Sequence, residues 1–541
     1  MFGKISTSAE HPRWAEAACV RDGRFVYVGS REGAQAFVSA QTTVVDVGEH
    51  LILPGFIDGH THAFGGKISE LYMAHLLDAE SVDEYLSILR DFIGQHPDYD
   101  VYLGMGWSNG LFENYTPTAA LLDAIEPRKP VIIRSSDWHA YWVNSAALRA
   151  AGIDRDTECY PGGKIERDGE GNPTGCLRET AMWLVNPVIP RLSVEQYKTA
   201  ILAVQDKLLA YGDTAYMDVV LNFDHTLDVY HAYEALARAR RLKMHVFGGY
   251  MIDACDDPET EIAHACALRD ASASPMFHLT DIKVFVDGVV EGGTGFLDEP
   301  FASDPAYHGE NRWSGARHIQ KLEDVVERAN RAGFAVHFHT IGDAAITLAL
   351  DVIEKAQRRT GLTDARNALT HLQMVTPEQI GRMKKLGVLA VVNPYWFFKD
   401  AVYFHEVEVH YLGAQRAERE YPHRSFYDLG VQVSMASDYP ITAEPNPLEG
   451  IQIGATRMNL DADPETLLNR EERVSVEQLI HSATAAAAYQ LRAESRLGSI
   501  EVGKSADFVE LDTDITRCPP ENIRHARVLK TFVAGQLAFS R

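Results

Sequence analysis

From about residue 210 onward, short apolar runs alternate with stretches in which apolar residues recur at helical spacing. This alternation is typical of βα units, in which a helix joins each strand to the next parallel strand. Thr376-Pro377 and Asn446-Pro447 mark two helix starts, because each offers a capping side chain followed by proline at the first helical position. With an earlier run included, the predicted strands are residues 51–60, 214–220, 244–250, 281–286, 335–340, 368–374, 388–393 and 431–437.

Eight strands with intervening helices predict an α/β fold, the (β/α)8 TIM barrel, whose chemistry lies at the carboxyl ends of the strands. The run Val131–Ser135 leaves the count open, since it could be a barrel strand and displace one of the eight. The barrel prediction therefore depends on where that run packs.

Roughly residues 66–195 separate the first predicted barrel strand from the second, and we interpret them as an insertion. Capping boxes predict helices that begin after Ser81 and Ser193, and residues 162–173 are rich in glycine and aspartate, as in a hairpin. Aromatic residues are denser here than the chain average of 9%. They form either the core of the insertion or a wall that faces a substrate, and they include Trp107, Phe112, Tyr115, Trp138, Tyr141 and Trp142.

The formal net charge is −25 over 541 residues, so nucleic acid and an anionic membrane are not the expected partners. The six cysteines form no C-x-x-C pair, which in a chain of this length predicts reduced thiols. No apolar run approaches the length of a membrane span. A cytoplasmic enzyme is the expectation from these properties.

The first predicted barrel strand ends in two histidines, His60 and His62. Side chains at i and i+2 of a strand point the same way, so both imidazoles can aim at one point and hold a divalent metal such as zinc. The alternative is a hydrogen-bonded surface pair. Residues 54–62, PGFIDGHTH, resemble the metal-site signature of the amidohydrolase superfamily, which comprises metal-dependent hydrolases built on a (β/α)8 barrel.

Three further motifs strengthen this resemblance and narrow it to the YtcJ-like branch, amidohydrolase family 3. Residues 339–345 read HTIGDAA, residues 437–440 read SDYP, and residues 503–507 read GKSAD. One departure is Ala344, where relatives often carry arginine, which puts a substrate-anion contact at this point in doubt. The resemblance covers nearly the whole chain.

The resemblance implies a metal-ligand set at the ends of the predicted strands: His60, His62, Lys283, His339, His371 and Asp438. It implies one or two divalent ions, with zinc expected, and a Lys283 that is carboxylated and bridges two ions. Independently of the family, a lysine inside the apolar run at 281–286 must be paired, neutralised or extended past the strand end. His337 shares the strand of His339 but lies deeper, so we predict a packed or supporting role for it.

The resemblance also implies a domain arrangement. The strands predicted near both ends of the chain would form one small β-sandwich, from residues 1–53 and 486–541, beside a hydrolase domain at residues 54–485. Two unrelated β tails are the alternative.

The implied reaction is hydrolysis of a non-peptide C–N bond of a small molecule by metal-activated water, with Asp438 as general base. His371 or His139 would stabilise the developing oxyanion, although His139 could equally be a core residue of the insertion. An N-substituted formamide is the expected substrate, because the branch includes such deformylases. Cyclic amides, carbamates and lactones are alternatives, as is a non-catalytic sensor. A homodimer is the expected assembly.

Overall fold

The amino-terminal segment folds into strands in which buried and exposed positions roughly alternate. The computed structural model describes residues 1–9, 13–272 and 274–541, without the side chain of residue 224, so residues 10–12 of the predicted segment 1–53 lie outside the described residues. The elements of this segment are β1 (Phe2–Ser6), β2 (Trp14–Arg21), β3 (Arg24–Gly29), α1 (Arg31–Ala34) and β4 (Asp46–Pro54).

The apolar run predicted as one strand at residues 51–60 is divided at Gly55. Its first half ends β4 at Pro54, and its second half is β5 (Phe56–Thr61), in which all six residues are buried. A side chain at Gly55 would overlap that of Thr214, so glycine allows these two segments to pack closely at the division. The division places His60 at the carboxyl end of a barrel strand.

The insertion after β5 carries a sheet of its own. Its elements are α2 (Ala63–Tyr72), β6 (Ala74–His75), α3 (Val82–Gln95), β7 (Tyr102–Trp107), α4 (Ala119–Asp123), β8 (Val131–Ser135), β9 (Ala140–Val143), α5 (Ser145–Ala151), β10 (Gly163–Arg167) and β11 (Pro173–Glu179). Within the described chain these six strands are ordered β10-β11-β9-β8-β7-β6. Because β8 belongs to this sheet, it displaces no barrel strand.

The aromatic residues of the insertion are divided between its buried core and the walls of cavities. Trp107, Phe112 and Trp142 pack in a buried cluster between its sheet and α3. Trp138 and Tyr141 line cavities instead. The insertion therefore has a core and also a face that points at the barrel mouth.

The remaining chain builds the barrel that the sequence predicts, which is confirmed. Its strands and helices are α6 (Val194–Tyr211), β12 (Asp213–Asp218), α7 (Asp228–Arg238), β13 (His245–Met251), α8 (Pro258–Ala271), β14 (Phe277–Phe285), α9 (Ala316–Arg331), β15 (Ala335–Thr340), α10 (Asp343–Thr360), β16 (Ala368–His371), α11 (Pro377–Leu386), β17 (Leu389–Val392) and β18 (Val433–Met435). Among described residues, eight parallel strands follow in the order β18-β17-β16-β15-β14-β13-β12-β5. Parallel strands covered by helices are buried on both faces, which accounts for their near-continuous apolar runs.

The barrel is closed between its first and last strands by residues that follow them. The peptide N–H of Asp438 donates to the His60 carbonyl (2.9 Å), and that of His62 donates to the Tyr439 carbonyl (2.7 Å). Below them, the Gln490 amide donates to the Gly59 carbonyl (2.8 Å), so a side chain takes the place of a strand hydrogen bond. Closure therefore occurs at the mouth of the barrel, next to the histidines.

The carboxyl-terminal strands join the amino-terminal ones. The last elements are α12 (Val409–Leu412), α13 (Ala414–Ala417), α14 (Arg424–Asp428), α15 (Pro447–Thr456), α16 (Val476–Ser482), α17 (Ala485–Gln490), β19 (Phe508–Leu511), β20 (Val528–Val533) and β21 (Gln536–Ser540). The described strands form one seven-stranded sheet, β21-β20-β19-β4-β1-β2-β3, in which β4 is parallel to β1 and antiparallel to β19. No helix in the described ranges is long and apolar enough to cross a membrane.

The close packing of β12 against β13 gives a test of the barrel. A Cβ at Gly249 would overlap the backbone oxygen of Val219, which cannot move without shifting the chain. We expect Gly249→Ala to lower the free energy of unfolding by about 1–3 kcal/mol, as overpacking does in other cores. Gly381 lies exposed within α11 with open space around it, so Gly381→Ala should raise stability by roughly 0.5–1 kcal/mol. Urea midpoints measured by circular dichroism compare the two, and an unchanged midpoint for Gly249→Ala would contradict this packing.

Candidate metal centre

The carboxyl ends of five barrel strands bring all six predicted ligands to the mouth of the barrel. His60 lies near the end of β5 and His62 directly follows that strand, β15 carries His339, and β16 ends at His371. Lys283 lies on β14, where it pairs with His337 of the neighbouring strand. Asp438 follows β18 in the left-handed conformation, with φ of 58°. This convergence is what the barrel topology dictates for residues at strand ends.

The Asp438 carboxylate is the centre of the group. Its Oδ1 lies 3.3 Å from His60 Nε2 and 3.6 Å from His62 Nε2. Its Oδ2 lies 3.9 Å from His371 Nδ1. One ligand atom from each of His60, His371 and Asp438 falls within 4.8 Å of the other two, close enough to share one ion. These three residues and His62 therefore form the tightest part of the predicted set.

The protonation states and hydrogen-bond partners of the predicted ligand atoms are those expected of a cation-binding site. His60 Nε2, His62 Nδ1 and Asp438 Oδ1 are buried and have no hydrogen-bond partner among the described residues. Buried polar atoms are normally hydrogen-bonded, so a cluster of such atoms without partners fits a site that binds a positive ion. Burial lowers the pKa values of His60, His62, His339 and His371 well below their ordinary range. Neutral imidazole is the form that binds a metal.

Lys283 is fully buried, and this excludes the alternative in which its side chain extends past the strand end to water. Its Nζ lies 4.5 Å from the centre of the Phe285 ring and has no hydrogen-bond partner within the described chain. Burial lowers the pKa of the Lys283 amine to about 7, against the attraction of Asp438. Burial likewise raises the pKa of Asp438 to about 8, which the positive charge of Lys283 opposes. A cation bound beside Asp438 would favour its ionised form.

Supporting side chains orient two of the histidines. His337 Nε2 lies 2.7 Å from His60 Nδ1, consistent with the packed or supporting role predicted for it. The Asn393 amide nitrogen donates to the Ala436 carbonyl (3.2 Å), so its Oδ1 accepts from His371 Nδ1 at 3.0 Å. That bond leaves the lone pair of His371 on Nε2. Asn393 was missed in the sequence, where a lone asparagine after an apolar run gives no signal.

The insertion supplies His139 to the same mouth. Its ring centre lies 4.9 Å from that of His339, and both residues line the cavity that contains His371 and Asp438. Glu179, also overlooked in the sequence, accepts from His139 Nδ1 at 2.9 Å. Burial opposes a charge on His139, but the Glu179 carboxylate more than offsets it and raises the pKa of this imidazole. His139 therefore lines the cavity at the barrel mouth and does not lie in the core of the insertion.

His339 differs from the other predicted ligands in its contacts. Its Nε2 lies 3.1 Å from the Gly288 carbonyl and 3.9 Å from Asp287 Oδ1, while its ring stands 4.6 Å from that of His371. The Asp287 carboxylate accepts backbone hydrogen bonds from Phe296, Ile341 and Gly342, which ties the loop after β14 to the end of β15. Asp287 thus holds the loop that His339 contacts.

Three connected cavities surround this centre. The outer one, of about 700 Å³, is largely apolar and is lined by Phe64, Met105, Trp138, Trp183 and Phe223, with Arg134 over several of its rings. It shares Trp138, Trp183 and Phe223 with a middle cavity of about 100 Å³ that reaches His62, His139, His339, His371 and Asp438. A third, of about 200 Å³, lies beyond and shares His139, His339, His371 and Asp438 with the middle one.

Comparisons with known proteins agree with this geometry. The family model described as "Amidohydrolase family" matches residues 43–539. The putative amidohydrolase YtcJ of Bacillus subtilis (strain 168) is 28% identical over 545 residues, covering 100% of this chain and 98% of that protein. The N-substituted formamide deformylase of Arthrobacter pascens is 28% identical over 544 residues, covering 97% and 95%. The predicted resemblance is confirmed.

A solved structure shares the fold. An uncharacterized metal-dependent hydrolase from Pyrococcus horikoshii OT3 superimposes with a TM-score of 0.73 at 24% identity, covering 96% of this chain and 98% of that one. The likeness extends over the barrel, the insertion and the terminal sheet, because nearly the full length of both chains is matched.

Asn393 provides a test of the centre that needs no substrate. The substitution Asn393→Ala removes the side-chain amide that holds the His371 ring. Loss of such a supporting hydrogen bond typically weakens metal affinity about 10–100-fold. Chelator competition with zinc measures it. Asn330→Ala is the matched control, since Asn330 is also a buried asparagine but bonds Asn367 (2.9 Å), near the opposite ends of the strands. Equal affinities for wild type and Asn393→Ala would contradict a role for His371 as ligand.

Proposed function

This chain belongs to the amidohydrolase family, and on that premise we propose that it hydrolyses an amide C–N bond of a small molecule at a zinc centre. The proposed ligands are His60, His62, Lys283, His339, His371 and Asp438. One observation carries the proposal: His60 Nε2 and Asp438 Oδ1, both buried and without a hydrogen-bond partner in the described chain, face each other at 3.3 Å. Imidazole nitrogen with carboxylate oxygen is a donor set that suits zinc.

The chain's own residues can perform the proton transfers of such a hydrolysis. When bound, a divalent cation supplies Lewis acidity, which makes water more acidic and a carbonyl carbon more electrophilic. Asp438 lies at the centre of the group, where its carboxylate accepts a proton from the attacking water and returns it to the departing nitrogen. His139, held by Glu179, donates a hydrogen bond to the developing oxyanion.

A covalent serine mechanism fits the structure less well. Residues 106–110 read GWSNG and match the G-x-S-x-G spacing of a nucleophile elbow. However, Ser108 lies in the insertion, between β7 and a short 3₁₀ turn at Asn109–Leu111, and none of the hydrogen bonds described for the chain joins it to a histidine. Without a base to activate it, this hydroxyl is a weak nucleophile.

An N-substituted formamide is the proposed substrate, supported by the likeness to the deformylase and by the large apolar cavity next to the centre. The test is a panel of N-substituted formamides, other amides, cyclic amides, carbamates and lactones, each incubated with zinc-loaded protein. If only carbamates or lactones are hydrolysed, the proposed substrate is one of these and not a formamide. Tight binding of a compound with no turnover would indicate a sensor.

A substitution at Asp438 distinguishes an enzyme from a sensor. Asparagine keeps the shape and one ligand oxygen but cannot accept a proton, so Asp438→Asn should lose about 10²–10⁴-fold in kcat. Its metal content, measured by elemental analysis, should largely persist. Asp218→Asn is the control, since Asp218 is also a buried carboxylate at the end of a barrel strand but bonds the Tyr233 hydroxyl (2.6 Å). Unchanged turnover in Asp438→Asn would rule out this base.

Lys283 is proposed to be carboxylated. Its neutral amine attacks the carbon of CO2, an N–C bond forms, and loss of a proton leaves an anionic carbamate that no longer buries a cation in the barrel. We expect Lys283→Ala to lose metal and activity, and a short-chain carboxylic acid with added metal to restore part of both. Nuclear magnetic resonance with ¹³C-bicarbonate should give a carbamate signal in wild type that is absent from Lys283→Ala. A free amine in active, metal-loaded wild type would contradict the carboxylation.

A further inference from the structure

The third cavity has a lining unlike that of the other two, and we call it the acidic compartment. Besides Asp438, its carboxylates are Asp137, Glu291, Asp400 and Glu408. Its aromatic residues are Tyr395, Trp396, Phe398, Tyr403 and Tyr421. No lysine or arginine belongs to this lining within the described chain. A cationic group placed beside these carboxyls would favour their ionised forms, so the compartment suits a cation and disfavours an anion.

Two of these carboxylates have structural roles. Asp137 accepts the peptide N–H of His139 at 2.8 Å. Asp400 accepts the peptide N–H groups of Val402 and Tyr403, both at 2.9 Å, at the start of the π-helical turn Tyr403–Glu408. Asp137 and Asp400 are therefore both hydrogen-bonded to backbone N–H groups of other residues. Glu291 and Glu408 have different partners.

Glu408 is hydrogen-bonded to the Glu420 carboxyl rather than to backbone donors, and the hydrogen bond described for the Glu291 carboxyl is with its own backbone. Glu408 lies beside a third buried carboxyl, Glu420, and both are contacted by the Gln373 amide, at 3.4 Å and 2.8 Å respectively. The charges that act on Glu408 come from Glu291 and Asp400, which are also acidic. Burial and these neighbours raise the pKa of Glu408 to about 8, and burial raises that of Glu291 to about 7.

One carboxyl oxygen beside the acidic compartment has no hydrogen-bond partner in the described chain. Glu420 is fully buried, and its Oε2 has no hydrogen-bond partner among the described residues. The buried guanidinium of Arg457 is directed at backbone carbonyls, those of Tyr421 (2.9 Å) and Glu420 (3.3 Å). Arg457 attracts Glu420 and His139 attracts Glu291, but burial keeps the pKa values of both carboxyls raised. Concentrating carboxyl groups in a low-dielectric site is costly, so a cation that binds there would stabilise it.

The aromatic lining narrows the kind of cation. Tyrosine and tryptophan faces attract alkylated ammonium groups, which are poorly hydrated, and carboxylates beside the rings add the opposite charge. A small inorganic ion would instead need several oxygens at short distance. The outer cavity offers the opposite environment, since Arg134 lies over the rings of Trp138 and Phe223 there.

We propose that the acidic compartment binds a substituted ammonium group on the amine side of the substrate while the scissile bond lies at the metal centre. The inference rests on the proposed function, because it assigns the substrate class of the same site. Glu291 and Glu408 are the residues assigned to the cation, and the aromatic rings surround its alkyl groups.

Two formamides that differ only in charge test the proposal. One is N-[3-(trimethylammonio)propyl]formamide, and the other is N-(4,4-dimethylpentyl)formamide, in which carbon replaces the charged nitrogen. We expect wild type to favour the cationic substrate in kcat/KM by about tenfold or more, a ratio worth about 1.4 kcal/mol. Glu291→Gln and Glu408→Gln should each reduce this ratio towards one. Equal kcat/KM values for the two substrates in wild type would overturn the proposal.

Glu406→Gln is the matched control. Glu406 lies on the same π-helical turn as Glu408 but is exposed outside the compartment, so its substitution removes the same charge and should leave the ratio unchanged. Glutamine preserves the shape of glutamate, and circular dichroism verifies that each variant is folded. A ratio that falls equally in Glu406→Gln would indicate an effect of overall charge and would also overturn the proposal.

A binding measurement separates this proposal from the proposed function. Calorimetry with trimethylpropylammonium chloride should show binding to wild type and binding at least about fivefold weaker to Glu291→Gln, a difference of roughly 1 kcal/mol. Such binding without hydrolysis of any amide would support the compartment and reject the hydrolysis. Hydrolysis of an amide without binding of the ammonium salt would support the hydrolysis and reject the ammonium site. Equal competition from sodium or calcium chloride would identify an inorganic cation site and reject the ammonium assignment.

Discussion

The hydrogen bond from the peptide N–H of Asp438 to the His60 carbonyl is the contact on which the candidate site depends. It joins the segment after the last barrel strand to the first strand, and in doing so places the Asp438 carboxylate against His60 and His62. Asp58 reinforces the junction, since its Oδ1 accepts from the peptide N–H groups of both His60 (3.2 Å) and Ser437 (3.0 Å). Closure of the fold and assembly of the site are thus one event.

This arrangement concentrates buried groups that destabilise the fold unless they are compensated. A fully buried amine and several unpartnered imidazole and carboxylate atoms each oppose folding, because their hydration is lost without replacement. The surrounding barrel tolerates them, since its eight strands are buried by helices on the outer face and by side chains of the barrel interior on the inner face. Local electrostatic cost at the mouth is offset by apolar burial elsewhere, which is the usual relation between a functional site and its scaffold.

The cavities on the two sides of the centre have opposite character. The insertion contributes aromatic rings and Arg134 to the outer cavity, whereas the loops after β14 and β17 contribute Glu291, Asp400 and Glu408 to the inner one. A substrate that spans both would be oriented by its own polarity. Specificity of this kind arises from loops and insertions, while the barrel supplies the common metal chemistry.

Much of the fold was determined by local sequence pattern. Short apolar runs at regular intervals indicate buried parallel strands, and His60 and His62 are spaced so that a strand must aim them together. Asp438 was identified instead by the resemblance of residues 437–440, SDYP, to a motif of the family. The assignment of residues 51–60 to one strand missed the bend at Gly55, because the apolar pattern continues across it.

Other features were decided only by tertiary structure. The bond of His337 to His60, that of Asn393 to His371 and that of Glu179 to His139 join residues 277, 22 and 40 positions apart. The acidic compartment combines residues of the insertion with residues of the loops after β14, β17 and β18. The sequence predicted a packed or supporting role for His337, but no local periodicity identifies the distant partner of any of these residues. Periodicity reports which face of an element is buried, but the partners that meet there are set by how distant elements pack.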